Sequence, residues 1–529
     1  MDNTLKRIIR SLSGAAMAAL LTAGMAGCAD DKGNYDYHEL TEPVITGVAD
    51  SMSVLIHDRL QLNPDLGPDI ADTAAYTFEW KAVNRTGDME STVLANTKRI
   101  DREMTLDAGL YTLFFKMTDR QSGLFWQKSY ALTVSDPTSE GWMVLTSTGD
   151  DQRAQLDIIS TITGKTYTDV LSGNGMADLH GPRRIQYLAS LTDAASPFYL
   201  LADDGATRLG RNNFGWKPEY DMRYESAEGL QLRPQEIVPA GFGKVIVSDS
   251  RAHYCEVMSF SGLYGSAVNT DFKVSPYVGA NTGASIYAAV YLLYDTDNKR
   301  FMAYCPMMAV ADLGGYSPLV TMDEMAQIAE TRQPGKGVTG DAFSQWPTGL
   351  DCRYMENTHY DPGNAKMGRT YALLTDGSHT YLYGIQLGDL LLFSDCTFVL
   401  GRSYYGDLSG CTDISRASCY AFSSLRNYMY YAVGGTVYRV DLSELPLKAE
   451  RQITLVGETV TRMKFNLRQA AQSTHDYDLV VASQRDGDGK GTLRIYDGMQ
   501  TEGDFRSVSP TVYSGFGRIV DVTYRERTN

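Results

Sequence analysis

Residues 197–210 read PFYLLADDGATRLG, an apolar strand, a tight Asp-Asp-Gly turn and a returning strand. Asp and Gly at the tip supply the left-handed backbone that short hairpin loops demand. The pattern recurs. WMVLTSTGDDQRAQLDII starts at Trp142, KVIVSDSRAHYCEV at Lys244, AVYLLYDTDNKRFMAYC at Ala289, TYALLTDGSHTYLYGIQL at Thr370, YMYYAVGGTVYRVDL at Tyr428 and DLVVASQRDGDGKGTLRIYD at Asp478, seven hairpins in all. A further short strand precedes most of them: PRRIQYL from Pro182, PQEIVP from Pro234, LDCRYM from Leu350, SCYAFSS from Ser418 and VTRMKFNL from Val460.

One strand ahead of each hairpin, with room for a fourth behind it, describes a blade. Residues 137–529 are therefore expected to form a seven-bladed β-propeller. The fourth hairpin lacks an obvious leading strand, and the first has none. The chain ends in GRIVDVTYRERTN, a leading strand without a hairpin. Residues 517–526 are expected to close the ring on the first blade, which would remove two open sheet edges. A string of β-sandwiches is the competing architecture, but it would need long, evenly spaced strands after Asp136.

Ahead of the propeller, residues 42–136 carry short alternating strands: PVITGV, SMSVLIHDRLQL, AYTFEWKAV, then two strands around the Thr118-Asp119 turn. This is the pattern of a small β-sandwich, so the fold class is all-β throughout. The alternation puts Trp80 on the inner face, as core rather than as a sugar-stacking ring.

The N-terminus is a targeting segment. Lys6, Arg7 and Arg10 precede an apolar run from Leu12 to Ala26 that is short for a membrane span, and Met25-Ala26-Gly27-Cys28 has the small residues a lipoprotein signal peptidase needs. Residues 1–27 are read as signal peptide, Cys28 as the lipidation site and 28–41 as a lipidated linker. The acidic residues Asp30 and Asp31 after Cys28 are similar to an export signal for the outer face of the outer membrane.

These features carry a resemblance. The start CADDKGNYDYHEL, the Tyr76-x-Phe78-x-Trp80 strand, and Gly109-x-Tyr111 with Thr118-Asp119 resemble the PKD-like family lipoproteins of Bacteroidota. The resemblance implies a cell-surface lipoprotein held to the outer membrane by a lipid anchor, with a SusC- and SusD-like transporter as partner.

Formal charge is −16, and −18 once residues 1–27 are removed. So acidic a surface repels phosphate backbones and argues against nucleic acid as a partner. Beyond Cys28 there are six cysteines, none with zinc-ligand spacing. Cys411 and Cys419 are close in sequence, but proximity does not fix the Cα separation a disulfide requires.

No Ser-His-Asp arrangement, His-x-x-x-His pair, Walker loop or sialidase-type Asp-box is legible. The hairpin-tip carboxylates Asp150, Asp151, Asp203, Asp204, Asp249, Asp295, Asp297, Asp376, Asp486 and Asp488 could collect calcium, though turn chemistry explains them more simply. Asp486-Gly-Asp488-Gly-Lys490-Gly partly imitates a calcium loop, but Lys490 stands where an oxygen ligand is needed. No cofactor or metal site is assigned.

Binding is therefore expected on loops between blades. RNNFGWKPEYDMRYE, residues 211–225, combines Phe214, Trp216 and Tyr220 with Arg211 and Arg223, and FSQWPTG adds Trp346. Aromatic faces stack on sugars or peptide side chains, and arginine forks hold carboxylates. These six residues are the expected ligand contacts. Three functions fit: binding of a nutrient glycan or peptide for an uptake system, a propeller-type glycan hydrolase or lyase, or a ligand-free structural partner of a transporter. Within the insertion 306–345, TMDEMAQIAETR reads as a capped helix over either the ring mouth or a blade flank.

Overall fold

The structure, a computed structural model, describes residues 43–526 apart from 69, 71, 86–88, 189–195, 212, 242, 257–261, 282–289, 307–317, 359–367, 389–399, 424–425, 466–476 and 499–500. The signal segment, Cys28, the linker to residue 41, and Cys396 lie outside the described residues. No helix among the described residues is long and apolar enough to cross a membrane. The chain divides into two compact units, the second running from Val134 and including Val54–Asp58 and Met104–Ala108.

The first unit is a β-sandwich. Its larger sheet orders the strands Ser51–Leu55, Phe125–Ser135, Gly109–Asp119, Tyr76–Asn84 and Ser91–Ala95, and Arg59–Leu62 pairs with Ile100–Glu103 in the smaller one. Period-two alternation sends Tyr111, Leu113, Phe115 and Met117 inward from one strand. Trp80 is fully buried, 4.7 Å from the Phe115 ring, and its indole N–H donates to the Lys98 carbonyl at 3.1 Å. That hydrogen bond removes the cost of burying the indole's polar end.

The second unit is a propeller of seven sheets. Its innermost strands are Arg518–Arg525, Pro182–Tyr187, Pro234–Ala240, Gly279–Ala280, Asp351–Thr358, Cys419–Phe422 and Glu458–Lys464, taken from blade 1 to blade 7. Each neighbours the next, and the last returns to the first, so the ring is closed. The C-terminal strand completes blade 1 by antiparallel pairing with Gly141–Thr148, Gly141 opposite Arg525 and Thr146 opposite Ile519. Trp142 packs edge-on to Tyr524 across that pairing at 4.9 Å. The leading strand of blade 4 escaped the sequence reading because it is only the two residues Gly279 and Ala280, too short for any alternation.

Seven apolar clusters hold the ring, each straddling two neighbouring blades. The middle strands are buried on both faces, as in Phe198–Ala202, Tyr291–Asp295 and Arg369–Thr375. That is why their sequences are continuous apolar runs rather than alternating ones. The helix α1, Met322–Arg332, has its capping box: the Thr321 hydroxyl accepts from the Glu324 N–H at 3.2 Å, and the Glu324 carboxylate accepts from the Thr321 N–H at 2.8 Å. Its buried residues Met322, Met325, Ile328 and Ala329 enter the cluster between blades 4 and 5, so α1 covers a blade flank.

Candidate ligand site

Five innermost strands share an irregularity. Their register against the next strand shifts between Pro182 and Arg184, Pro234 and Ile237, Cys352 and Tyr354, Val460 and Arg462, and Ile519 and Asp521. A register shift of this kind bends a strand and re-aims the side chains beside it. The residues passed over include Arg183, Glu236, Arg353, Thr461 and Val520, and all of them line one cavity of about 510 Å³ at the centre of the ring. Every blade contributes to this cavity, with Tyr277 from blade 4 and Tyr420 from blade 6. The volume falls within the roughly 300–1,000 Å³ usual for ligand pockets.

The lining has a definite charge pattern. It holds four arginines, Arg183, Arg184, Arg353 and Arg462, and one carboxylate, Glu236. Arg184 pairs with Glu236. Arg462 reaches Asp521 at 3.1 Å, and Lys464 reaches the same carboxylate at 2.6 Å. Asp521 also accepts from the Ile185 N–H at 3.1 Å, which ties blade 1 to blade 2. Burial works to raise the Asp521 carboxyl, but Lys464, Arg462 and Arg184 together hold it below the usual carboxylate range. Burial also lowers the Lys464 ammonium to about 8.

On the opposite wall three tyrosines adjoin. Tyr277 meets Tyr354 edge-on at 5.2 Å, and Tyr354 lies 5.2 Å from Tyr420. The Tyr354 hydroxyl donates to Glu356 at 2.7 Å, and burial pushes that carboxyl up to about 7. Arg353 is exposed and, among the described residues, makes one hydrogen bond, to the Ser415 carbonyl at 3.3 Å. The Thr461 hydroxyl in the wall has no hydrogen-bond partner among the described residues.

The aromatic loop expected to bind ligand does different work. Among the described residues blade 2 has three strands, and residues 211 and 213–225 cover the outer edge where a fourth would lie, with Thr207 bridging to Asp221 and donating to the Tyr220 carbonyl at 3.0 Å. Phe214 is accordingly core, 1% exposed and 5.3 Å from Phe198. Trp216 is half-buried against the same cluster, with its N–H bound to Thr207 at 2.9 Å. Tyr220 is buried beneath Arg208 and Lys217. The Arg211 carbonyl accepts from Arg525 at 2.6 Å, and Arg223 is held by Asp221 and Gln231 at 3.1 and 2.9 Å. Trp346 is buried with Phe343 between blades 4 and 5, their rings 5.2 Å apart. These six residues do not assemble into one face. Arg184, Arg353, Arg462 and Tyr354 were missed because they sit in ordinary-looking strands, and the register shifts that turn them inward leave no mark in composition.

At two hairpin tips the carboxylates brace the turn. Asp376 accepts from the Ser378 and His379 N–H groups at 2.8 and 2.7 Å, and Asp295 does so from Asp297 and Asn298 while pairing with Arg300. No group of three or more metal-ligating side chains occurs among the described residues. Cys411 and Cys419 are both free thiols.

The sandwich strands and the inward Trp80 now stand beside a match. Residues 28–181 match the PKD-like family. The PKD-like stretch thus runs past the sandwich, through the hairpin Gly141–Ser160 of blade 1, and stops where the inner strand of blade 2 begins. Among solved structures, the chain is similar to a quinonprotein alcohol dehydrogenase-like protein from Bacteroides thetaiotaomicron, at 10% identity and TM-score 0.42, covering 92% of this chain and 99% of that one. It is also similar to the Cps50 (Swd1) β-propeller domain of Myceliophteria thermophila, at 8% identity and TM-score 0.34, over 67% and 95% of the two chains. A Synechocystis apocarotenoid oxygenase variant matches at 10% identity and TM-score 0.35, over 85% and 93%. No curated protein matches the sequence.

Proposed function

We propose that this chain is a lipid-anchored protein of the outer-membrane surface that binds a nutrient polymer, glycan or peptide, in the central cavity of its propeller, as accessory to a SusC- and SusD-like uptake system. The observation that carries the binding reading is the set of register shifts in five inner strands, four of which bring polar side chains, Arg183, Glu236, Arg353 and Thr461, to the lining of one cavity. Arg184 and Arg462 also tie neighbouring blades through Glu236 and Asp521, whereas Arg353 is exposed on the lining and has no ion pair among the described residues. The anchor rests on the segment ending at Cys28, and the PKD-like match at residues 28–181 accords with it. A binding screen of the full chain in detergent, against glycan and peptide polymers, tests the reading. Binding lost on filling the cavity with Ser418→Trp supports it, and binding that survives that change sends the ligand elsewhere.

A second reading, a glycan hydrolase or lyase, is favoured by one observation. Glu356 holds its proton up to about 7 and is hydrogen-bonded to Tyr354 in the cavity wall, a pairing that could deliver a proton near neutral pH. Product release from a glycan that wild type cleaves and Glu356→Gln does not would establish this reading over the first.

A further inference from the structure

We infer that the cavity selects an oxyanion-bearing sugar unit, a uronate or a sulfate ester, held by Arg353, Arg184 and Arg462 with its ring against the tyrosine wall. This rests on the reading that the cavity binds a polymer. The chain as a whole is strongly acidic, at −16, yet the cavity lining carries four arginines against one glutamate, a formal excess of +3. Asp203 behind the lining pairs with Arg183 and lowers the excess to +2, and Lys464 and Asp521 offset each other at 2.6 Å, so the sign stands. A cationic concavity with low-dielectric walls concentrates field lines and draws an anion in.

The three arginines have different freedom. Arg184 and Arg462 are ion-paired with Glu236 and Asp521 respectively, on the inner strands either side of blade 1. Arg353 has only the Ser415 carbonyl at 3.3 Å, and the described residues supply no other partner to its fork. A guanidinium so placed offers parallel N–H donors matched to the two oxygens of a carboxylate or sulfate.

Sugar rather than peptide follows from the remaining wall. Tyr277, Tyr354 and Tyr420 make a run of adjoining rings at 5.2 Å steps, beside Arg353 in sequence and space. The C–H face of a pyranose packs on such rings while its charged substituent reaches the fork. An acidic peptide would use the forks and leave the aromatic wall idle.

The test is calorimetric titration of the full chain in detergent with four probes: trigalacturonate, its methyl ester, a sulfated trisaccharide and triglutamate. The expected result is that trigalacturonate or the sulfated sugar binds at least about tenfold more tightly than the ester, and that the preference shrinks as salt rises from about 50 to about 500 mM. Tighter binding of the uronate or of the sulfated sugar identifies which oxyanion is the source. Arg353→Gln is expected to weaken acidic-sugar binding by about tenfold while leaving the ester unchanged, and Arg353→Lys to recover part of the loss, because charge remains while the fork is gone. An unchanged thermal melt of Arg353→Gln identifies the loss as one of recognition. Equal binding of acid and ester, or an Arg353→Gln variant that binds like wild type, overturns this inference and leaves the polymer-binding function standing. Preference for triglutamate overturns the choice of sugar. If neither these probes nor any polymer in the broader screen binds, the proposed function falls as well.

Discussion

The guanidinium of Arg525 stacks on the ring of Phe214, 5.1 Å from its centre, with Phe198 at 5.2 Å. Arg525 ends the strand that closes the ring, and Phe214 belongs to the loop that covers the edge of blade 2. The loop is therefore a clasp on the closing strand, and Arg525 also donates to the Arg211 carbonyl at 2.6 Å. Burial lowers the Arg525 guanidinium to about 10, so the aromatic stack and the carbonyl stand in for lost water.

Removing the clasp should act on stability and not on binding. Phe214→Ala is expected to cost about 3–5 kcal/mol, the range for deleting a buried phenylalanine. Urea denaturation reads the loss. Trp216→Ala, by contrast, is expected to leave polymer binding unchanged in the same titrations that test the cavity. Lost binding with an intact melt in Trp216→Ala would return the site to that loop.

The pH dependence of stability should carry a signature of Glu356. Its carboxyl rises from 4.5 to about 7 in the fold, so the native state holds this proton more tightly than the unfolded chain. The contribution is full below the unfolded value and is lost as pH climbs through 7, for a total of about 3 kcal/mol. Glu356→Gln should abolish this part of the slope, so the difference between wild type and variant in urea midpoint between pH 5 and 8 isolates it. Parallel profiles would contradict the burial of that carboxyl.

His180 bridges the hairpin tips of blades 1 and 2. Its Nδ1 lies 2.9 Å from Asp204, and its Nε2 lies 3.7 Å from Asp151. The hydrogen bond to Asp204, with the nearby negative charges, raises the imidazole above its ordinary 6.5. Asp204→Asn should bring the NMR titration midpoint of His180 down, and Asp151→Asn should lower it less.

A buried charge cluster between blades 2 and 3 should resist partial dismantling. Glu225 accepts from Lys244 at 2.9 Å and from the Tyr199 hydroxyl at 3.1 Å, and it faces Arg208 at 3.0 Å, while the Lys244 ammonium also sits 5.0 Å from the Tyr199 and Tyr264 rings. Glu225→Ala leaves two cations buried without their carboxylate, an expected loss of about 3–5 kcal/mol by denaturant melt. A near-neutral change would mean water already solvates this cluster.

The hairpins, the leading strands, the inward Trp80 and the capped helix were legible because each rests on a local rule of turn, alternation or cap. The cavity-lining residues were not. Phe214, Trp216, Tyr220 and Trp346 looked like ligand contacts because aromatic residues in a glycine-punctuated loop resemble a recognition surface, and the sequence does not state that blade 2 lacks a fourth strand. Arg353 and Arg462 lie in segments read only as leading strands, LDCRYM and VTRMKFNL, and nothing in either segment singles them out. Their inward turn depends on pairing registers such as Cys352 with Leu374 followed by Tyr354 with Leu373, which is set between strands and not within either.

The pairing of Gly141 with Arg525 also sets an order of events during synthesis. Blade 1 has its outer three strands as soon as Tyr167 is made, but its inner strand, Arg518–Arg525, is made only after the strands of the other six blades. Until then the edge of Gly141–Thr148 and the cluster that Trp142 shares with Tyr524 remain uncovered. Until that strand arrives the half-made sheet is open to pairing with other chains, and loss of Arg518–Arg525 is expected to leave an aggregation-prone edge on an otherwise assembled ring.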